Sequence, residues 1–229
     1  MFRVGLVGLG MAVTPHARSL ADLRHRVEVA YAYSPSAERR ATFAERFPVP
    51  LCDRLETILE DRSIGAVLIL TPPNTHLELV QRCAAAGKHI LLEKPLEIST
   101  DRADKLVRSA SNVTLGIVLQ HRFRPAAEKL SEILKAGRLG ELVSASAMLP
   151  TWRPQSYYDQ PGRGTRARDG GGVLLTQGIH ALDLFLSFAG GVSEVKSFST
   201  TTGVHRMETE DLVAAAVRFE NGALGVVHA

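Results

Sequence analysis

Lys94, His180 and Asp183 are the side chains of this 229-residue chain whose type and setting could move a proton. Glu93-Lys94-Pro95 directly follows an apolar run, His89 to Leu92, that reads as a strand. A lysine at the end of a strand, beside another positive charge, would have its ammonium disfavoured and could donate and accept a proton. An ordinary solvated lysine is the competing reading. Thr176, His180 and Asp183 fall at i, i+4 and i+7, one face of one helix, with Gln177 at its border. On an otherwise apolar helix such a stripe is a buried polar network or the wall of a site. In the second case His180 relays a proton and Asp183 orients it. His180 and Asp183 are too few ligands for a metal and nothing completes the set, so no metal is expected. The loop 151–169 holds Trp152, Arg153, Tyr157, Tyr158, Arg163, Arg166 and Asp169. Aromatic and hydrogen-bonding side chains together suit a sugar or another hydroxylated substrate. A surface loop of solvated arginines is the alternative.

The second chemical signal is Gly8-Leu9-Gly10, between the apolar run 2–8 and a helical stretch near 12–24. A strand-to-helix turn needs Gly8 for its backbone angles. Gly10 lets the main chain approach the pyrophosphate of a dinucleotide seated on the helix N-terminus, and Met11 belongs to the same loop. Val13 stands where the third glycine of such a fingerprint is usual, so a plain structural turn is the rival. After the next strand an acidic residue would bind the ribose 2′-hydroxyl, but Tyr33-Ser34-Pro35 stands there, followed by Arg39-Arg40. Ser34 with Arg39 could accept a 2′-phosphate, which leans the reading from NAD toward NADP. Solvated helix arginines explain Arg39 and Arg40 equally well.

The elements that must position these residues alternate. Strands at 27–33, 49–52, 66–70, 89–92 and 113–119 are separated by helices at 36–46, 75–86 and 101–110. Strand–helix alternation with near-continuous apolar strands predicts a doubly wound parallel sheet over residues 1–120. Ser99 to Asp101 offers caps for the helix at 101–110, and Gly87 suits the left-handed position ending the helix before it. Beyond, a helix at 126–136 ends at Gly137 and a strand is expected at 142–149. The irregular loop 150–170 comes next, then Gly170-Gly171-Gly172 leads into an apolar helix to 189, and a strand at 195–202. Strands at 212–219 and from 223 flank Glu220-Asn221-Gly222, a strong hairpin signal. Residues 121–229 therefore read as an α+β domain with a mainly antiparallel sheet. The chain ends inside the return strand, which leads us to expect this domain to be incomplete.

Composition narrows the class. Hydrophobic residues make up 45% and charged residues 22%, and the net charge of +3 is spread along the chain. No basic run carries interleaved aromatics, so nucleic-acid binding is not expected. Cys52 and Cys83 lack metal or disulfide-framework spacing and read as reduced thiols. No signal peptide is recognisable, and no stretch is expected to reach the roughly 18 apolar residues of a membrane span. The default expectation is a cytoplasmic protein with no membrane partner.

These pieces, in this order, resemble the Gfo/Idh/MocA oxidoreductases, named for glucose-fructose oxidoreductase and inositol dehydrogenase. The matching stretches are GLGMAVTPHARSL, TPPNTHLELV, AAGKHILLEKPL, QHRFRP, GGGVLLTQGIHALDLF and METEDLVAAAVRFENGALG. The resemblance implies a Rossmann domain and an NAD- or NADP-dependent dehydrogenase or reductase acting on a hydroxyl of a sugar, sugar derivative or cyclitol. It implies a pyrophosphate loop at Gly8 and Gly10. Thr71, Pro72, Asn74 and His76 would pass the nicotinamide ribose, Glu93 would be a cofactor-binding acid and Lys94 the catalytic lysine. Gln120 would lie in the cofactor set, and His180 would contact the substrate hydroxyl. Arg122, Trp152, Arg153, Tyr157, Thr176, Gln177 and Asp183 complete the expected substrate set. Two departures stand out. Thr176 occupies a position where the family often has Asp, which shifts proton transfer onto Lys94 and His180, and Gln120 stands where Asn is frequent. A homodimer or homotetramer through the second sheet is expected. The rival functions are a cofactor-binding regulator without catalysis and an NAD-dependent glycoside-cleaving enzyme.

Overall fold

The structure is a computed structural model describing residues 1–229. The chain divides into two units, Met1–Val118 and Leu119–Ala229. The first runs β1 (Phe2–Val7), α1 (Val13–Asp22), β2 (Val27–Tyr33), α2 (Ala37–Ala44), β3 (Leu51–Cys52), α3 (Glu56–Glu60), β4 (Ile64–Ile69), α4 (His76–Ala85), β5 (His89–Leu92), α5 (Thr100–Ser109) and β6 (Leu115–Ile117). All six strands pair in parallel, in the order β3-β2-β1-β4-β5-β6. Apolar side chains alternate between the two covered faces. Val4 and Leu6 of β1 join Val13 and Ala17 of α1 and Phe43 of α2, while Val7 joins Ile58 of α3 and Leu77 and Val80 of α4. Strand order reverses between β1 and β4, so a crevice opens beyond their carboxyl ends.

Local chemistry fixes the ends of these elements. Ser36 and Ser99 cap α2 and α5 by accepting the amide N–H of Arg39 and Arg102. Gly87 follows α4 at φ 69°. Helix α3 is absent from the sequence reading, because five residues give periodicity too short a window, although Leu55 and Ile58 point into the core. Cys52 and Cys83 are free and buried, and burial pushes the Cys83 thiol up to about 12.

The second unit contains α6 (Pro125–Lys135), β7 (Ser144–Met148), α7 (Gln155–Tyr158), α8 (Arg166–Asp169), α9 (Ile179–Ala189), β8 (Val192–Thr200), β9 (Leu212–Phe219) and β10 (Leu224–His228). Its sheet has the order β7-β10-β9-β8. All pairs are antiparallel except β7 with β10. The β9–β10 turn puts Gly222 at φ 87° while the Asn221 side chain accepts the Ala223 N–H. Phe185 and Ala189 of α9 pack on Ala147, Val217, Phe219 and Val227 of the sheet.

Three expectations change here. The loop 150–170 contains two one-turn helices, α7 and α8. The helix after the triple glycine opens with a π-helical turn, Leu174–Gly178, before becoming α-helical. Residues 166–189 are long and apolar enough, by length and composition, to cross a membrane, where no such stretch was expected. They form no single apolar rod. Gly170 breaks them at φ 77°, Asp183 carries an ion pair, and Phe185 and Ala189 of α9 pack on the sheet.

Candidate functional site

In the first unit, the predicted cofactor residues gather beyond the carboxyl ends of β1, β4 and β5. Gly8 has φ 103°, and a Cβ there would lie 2.8 Å from the Thr71 methyl and 3.0 Å from the Leu70 carbonyl carbon. The fold itself therefore requires this glycine. Gly10 is the opposite case. Its φ is not left-handed, and the nearest protein atom to a Cβ would be the Arg39 guanidinium at 4.0 Å. Nothing in the protein needs that space. No side chain caps α1, and its first turn carries no acid. An uncapped helix N-terminus behind an open glycine fits a dinucleotide pyrophosphate. A cavity of about 250 Å³ continues from Gly10 past Met11, Thr14, Arg39, Thr42 and Arg46. A wider cavity of about 590 Å³ lies at the amino edge of the sheet, by Phe2, Gly65 and His89. No predicted site residue lines it, and ligands of this architecture bind at the carboxyl edge, so the smaller cavity is the candidate.

Ser34 belongs to the β2–α2 turn and Arg40 to α2. Ser34 is buried, its hydroxyl accepts the Ser36 N–H at 3.3 Å, and its carbonyl accepts Arg40 Nη1 at 2.6 Å. Of the residues considered for a 2′-phosphate, Arg39 is the one that lines the cavity.

Thr71, Pro72 and Asn74 form the loop after β4, and it is clipped from below. The Thr75 hydroxyl lies 2.7 Å from that of Thr71 and 2.8 Å from the Pro72 carbonyl. His76 is fully buried, with Nε2 2.9 Å from the Thr71 carbonyl and Nδ1 3.1 Å from the Leu96 carbonyl. Burial pulls its pKa down despite those carbonyls. Its place is under the loop, tying the β4 loop to the β5 loop. Arg102 Nη2 also reaches the Asn74 carbonyl at 3.2 Å.

Glu93 and Lys94 leave the end of β5, and the Lys94–Pro95 bond is cis. Glu93 accepts from His16 of α1 at 2.8 Å and from the Lys94 N–H at 2.9 Å. Burial raises its pKa, but the His16 hydrogen bond and charge, with Lys94, outweigh that and hold it below the usual range. Glu93 thus bolts the lysine loop to the pyrophosphate helix. Two residues beyond Pro95, the side chain of Glu97 is fully buried. It accepts the N–H groups of Leu77 and Ile98 and two bonds from Arg102 at 2.9 Å. Burial raises the Glu97 pKa, and Arg102 with the two backbone donors brings it down overall. His16, Glu97 and Arg102 carried no sequence signal, because each partner lies far off in the chain or in a loop without periodicity.

In the second unit, Gln120 and Arg122 lie in a 3₁₀ turn, Gln120–Phe123. Arg122 forks onto Asp183, with Nε at 2.6 Å and Nη2 at 2.5 Å. Both Asp183 oxygens thus accept from Arg122, a partner the sequence reading did not include. The His180 ring faces His121, ring centroids 5.0 Å apart. Burial and the nearby Arg124 lower the His121 pKa, with Asp183 pulling the other way. The Thr176 hydroxyl donates back to the Gly172 carbonyl at 2.7 Å, and Gln177 donates to the Tyr158 phenol at 3.0 Å. Tyr157 accepts from Arg163 at 2.6 Å, and the Arg153 guanidinium lies 5.8 Å from its ring centre. Trp152 is 65% exposed, leaving most of its indole open to a ligand. Gly172 of the triple glycine is dictated by packing, since a Cβ there would fall 1.8 Å from the Glu210 carbonyl oxygen.

Comparison with known proteins adds a family. Residues 2–119 match the oxidoreductase family with NAD-binding Rossmann fold, and residues 127–229 match the GFO/IDH/MocA C-terminal domain. The myo-inositol 2-dehydrogenase of Thermotoga maritima is 29% identical over 98% of this chain and 67% of its own length. The rhizopine catabolism protein MocA of Rhizobium meliloti is 32% identical over 80% of this chain and 55% of its own. The solved WlbA dehydrogenase from Bordetella pertussis, in complex with NADH and UDP-GlcNAcA, superposes with a TM-score of 0.93 at 27% identity. That match covers 99% of this chain and 68% of the WlbA chain. The chain thus spans between about half and two thirds of the length of these relatives.

Proposed function

The chain belongs to the GFO/IDH/MocA oxidoreductase family, and from that premise we propose that it transfers a hydride between a nicotinamide dinucleotide and a hydroxyl-bearing carbon of a sugar, sugar derivative or cyclitol. The observation carrying the reading is the shared edge of one sheet. The Gly8–Gly10 turn ends β1, and Glu93-Lys94 ends β5, with β4 between them. The nicotinamide, when bound, supplies the site that gives or takes the hydride. Gly10 and the N-terminus of α1 hold the pyrophosphate, and Thr71, Pro72 and Asn74 shape the next stretch of the cofactor, held from beneath by His76. Lys94 takes the proton from the substrate hydroxyl during oxidation and returns it during reduction. On the second unit, His180, Trp152, Arg153 and Tyr157 are the proposed substrate contacts. NADP remains favoured over NAD, a preference that rests on Arg39 because Ser34 and Arg40 are bonded to groups of the β2–α2 connection.

The proposed assembly is a homodimer or homotetramer through the second sheet. Phe198, Ala214, His228 and Met148 lie side by side across its four strands on the face away from α9. Phe198 is 87% and Met148 63% exposed. Thr176 favours a second reading, a cofactor-binding regulator, because its hydroxyl cannot serve as a carboxylate base. The test is Lys94→Ala with myo-inositol and NAD or NADP. General acid–base catalysis supplies about 10²–10⁴ in rate, so turnover should fall by that factor, while NADH or NADPH affinity, read by fluorescence titration, stays the same. Undiminished turnover in the variant refutes the role of Lys94. Cofactor binding without net cofactor reduction on any polyol selects the regulator.

A further inference from the structure

His205, in the connection between β8 and β9, touches two groups that only accept hydrogen bonds. Its Nδ1 lies 2.7 Å from Asp211 Oδ2 and its Nε2 2.9 Å from the Arg153 carbonyl oxygen. The ring packs 5.1 Å from Trp152 and 5.0 Å, edge-on, from Tyr158. Both His205 and Asp211 side chains are buried, at 8% and 6% exposure. A neutral imidazole has one N–H and would turn a lone pair toward one of these oxygens. Only the imidazolium donates to both.

We propose that His205 is a positioning residue for the loop 151–169. In its protonated form it fastens the Arg153 carbonyl, with Trp152 and Tyr158 packed on its ring, to the β8–β9 connection; when the proton leaves, the one remaining N–H stays on Asp211 and the Arg153 carbonyl is released. The proposal rests on the reading that this loop contacts the substrate. The hold extends inward, since Tyr158 accepts the Gln177 amide on the π-helical turn. The charged groups around the ring support it. Asp211 faces Nδ1 and is itself anchored by the Thr202 N–H at 2.7 Å and hydroxyl at 2.8 Å. The Arg153 guanidinium turns away to the Trp152 carbonyl at 2.9 Å. Glu208 and Glu210 accept the N–H groups of Arg166 and Gly172, and Arg206 and Asp159 pair with each other at 3.7 Å. The Asp211 hydrogen bond raises the His205 pKa, against a smaller opposing pull from burial. The hold is therefore complete at mildly acid pH and is lost as pH rises through a value above the ordinary histidine pKa of about 6.5.

Trp152 is the chain's only tryptophan, so its fluorescence reports this contact alone. The wild-type protein is titrated from about pH 5 to about pH 9, reading Trp152 anisotropy and intensity together. The expected result is a one-proton fall in anisotropy with its midpoint above about 6.5. Asp211→Asn should lower the midpoint, and His205→Gln should give low anisotropy at every pH. If myo-inositol or another polyol is turned over, KM should rise through the same midpoint with kcat unchanged, and His205→Gln should have the raised KM throughout. Flat anisotropy in the wild type overturns the proposal. An intensity change without an anisotropy change also overturns it, because His205 would then titrate without holding the loop. These optical outcomes stand whether or not the protein proves to be a dehydrogenase. A pH-dependent anisotropy with no turnover would count against the proposed function alone.

Discussion

Two alanine substitutions, two residues apart, should separate the demands of the fold from those of the ligand. Gly8→Ala puts a Cβ at φ 103°, 2.8 Å from the Thr71 methyl and 3.0 Å from the Leu70 carbonyl carbon. A left-handed backbone costs an L-residue about 1–2 kcal/mol, and overpacking of this kind about 1–3 more. The variant should therefore lose about 2–5 kcal/mol of stability. Gly10→Ala meets nothing closer than Arg39 at 4.0 Å, and its φ is not left-handed. Restricting the unfolded chain should make it about 0.4–1 kcal/mol more stable. The same methyl would stand where the proposed reading puts the pyrophosphate. If the ligand has to yield by an overpacking cost of about 1–3 kcal/mol, affinity falls about 5- to 150-fold. Urea unfolding followed by circular dichroism measures the first effect, and NADH or NADPH fluorescence titration the second. A Gly10→Ala protein with wild-type affinity would show that the loop does not cradle the cofactor. If it unfolds as easily as Gly8→Ala, the separation of fold and ligand is wrong.

The other predictions concern the supports beneath the loops. Glu97→Ala leaves two backbone N–H groups and Arg102 without their buried acceptor. Arg102 is 29% exposed and keeps Glu78, so the cost is that of the two unsatisfied backbone donors, about 1–3 kcal/mol each, and Glu97→Gln should cost less because it keeps the shape and one acceptor oxygen. Chemical denaturation of both variants checks the order, and equal stability of Glu97→Ala and wild type would rule out the anchoring role. Glu93 has a depressed folded-state pKa, so its contribution is present above the unfolded carboxyl value of about 4.3 and is lost as pH falls through the folded value. His16→Ala should therefore be less stable than wild type at pH 7, with the gap closing toward about pH 3 as Glu93 protonates in both. A pH-independent gap would mean that His16 contributes by packing alone.

The first unit was legible because its signals are local. An apolar run, a Gly-x-Gly turn and a helix are contiguous, and fully buried parallel strands announce themselves by composition alone. The supports were not legible. His16 and Glu93 are separated by 77 positions, and Arg122 and Asp183 by 61. No periodicity reports a pair that meets only through the tertiary fold. The short helices α3, α7 and α8 failed for the opposite reason, since a single turn is too brief to show a period. His205 sat in a connection with no pattern, and only the two acceptors converging on its ring reveal it.

The polar stripe on the long helix shows how a local change of helix type alters a pattern read from spacing. Thr176, His180 and Asp183 share a face only if the helix is α-helical throughout. The turn Leu174–Gly178 is π-helical, and one additional residue in a turn rotates the residues after it by roughly 100° relative to those before it. Gly178 closes that turn where a Cβ would lie 3.0 Å from Leu149 and 3.3 Å from the Val173 carbonyl oxygen, so the backbone approaches strand-flanking residues that a larger residue would displace. Past the turn, His180 meets the His121 ring and Asp183 meets Arg122, while Thr176 is bonded to the Gly172 carbonyl. The helix does not present three polar groups to one point. It uses the π-helical turn to hand Thr176 to its own backbone and His180 to a second histidine. If His180 meets the substrate hydroxyl, as proposed, it does so with the His121 ring packed beside it.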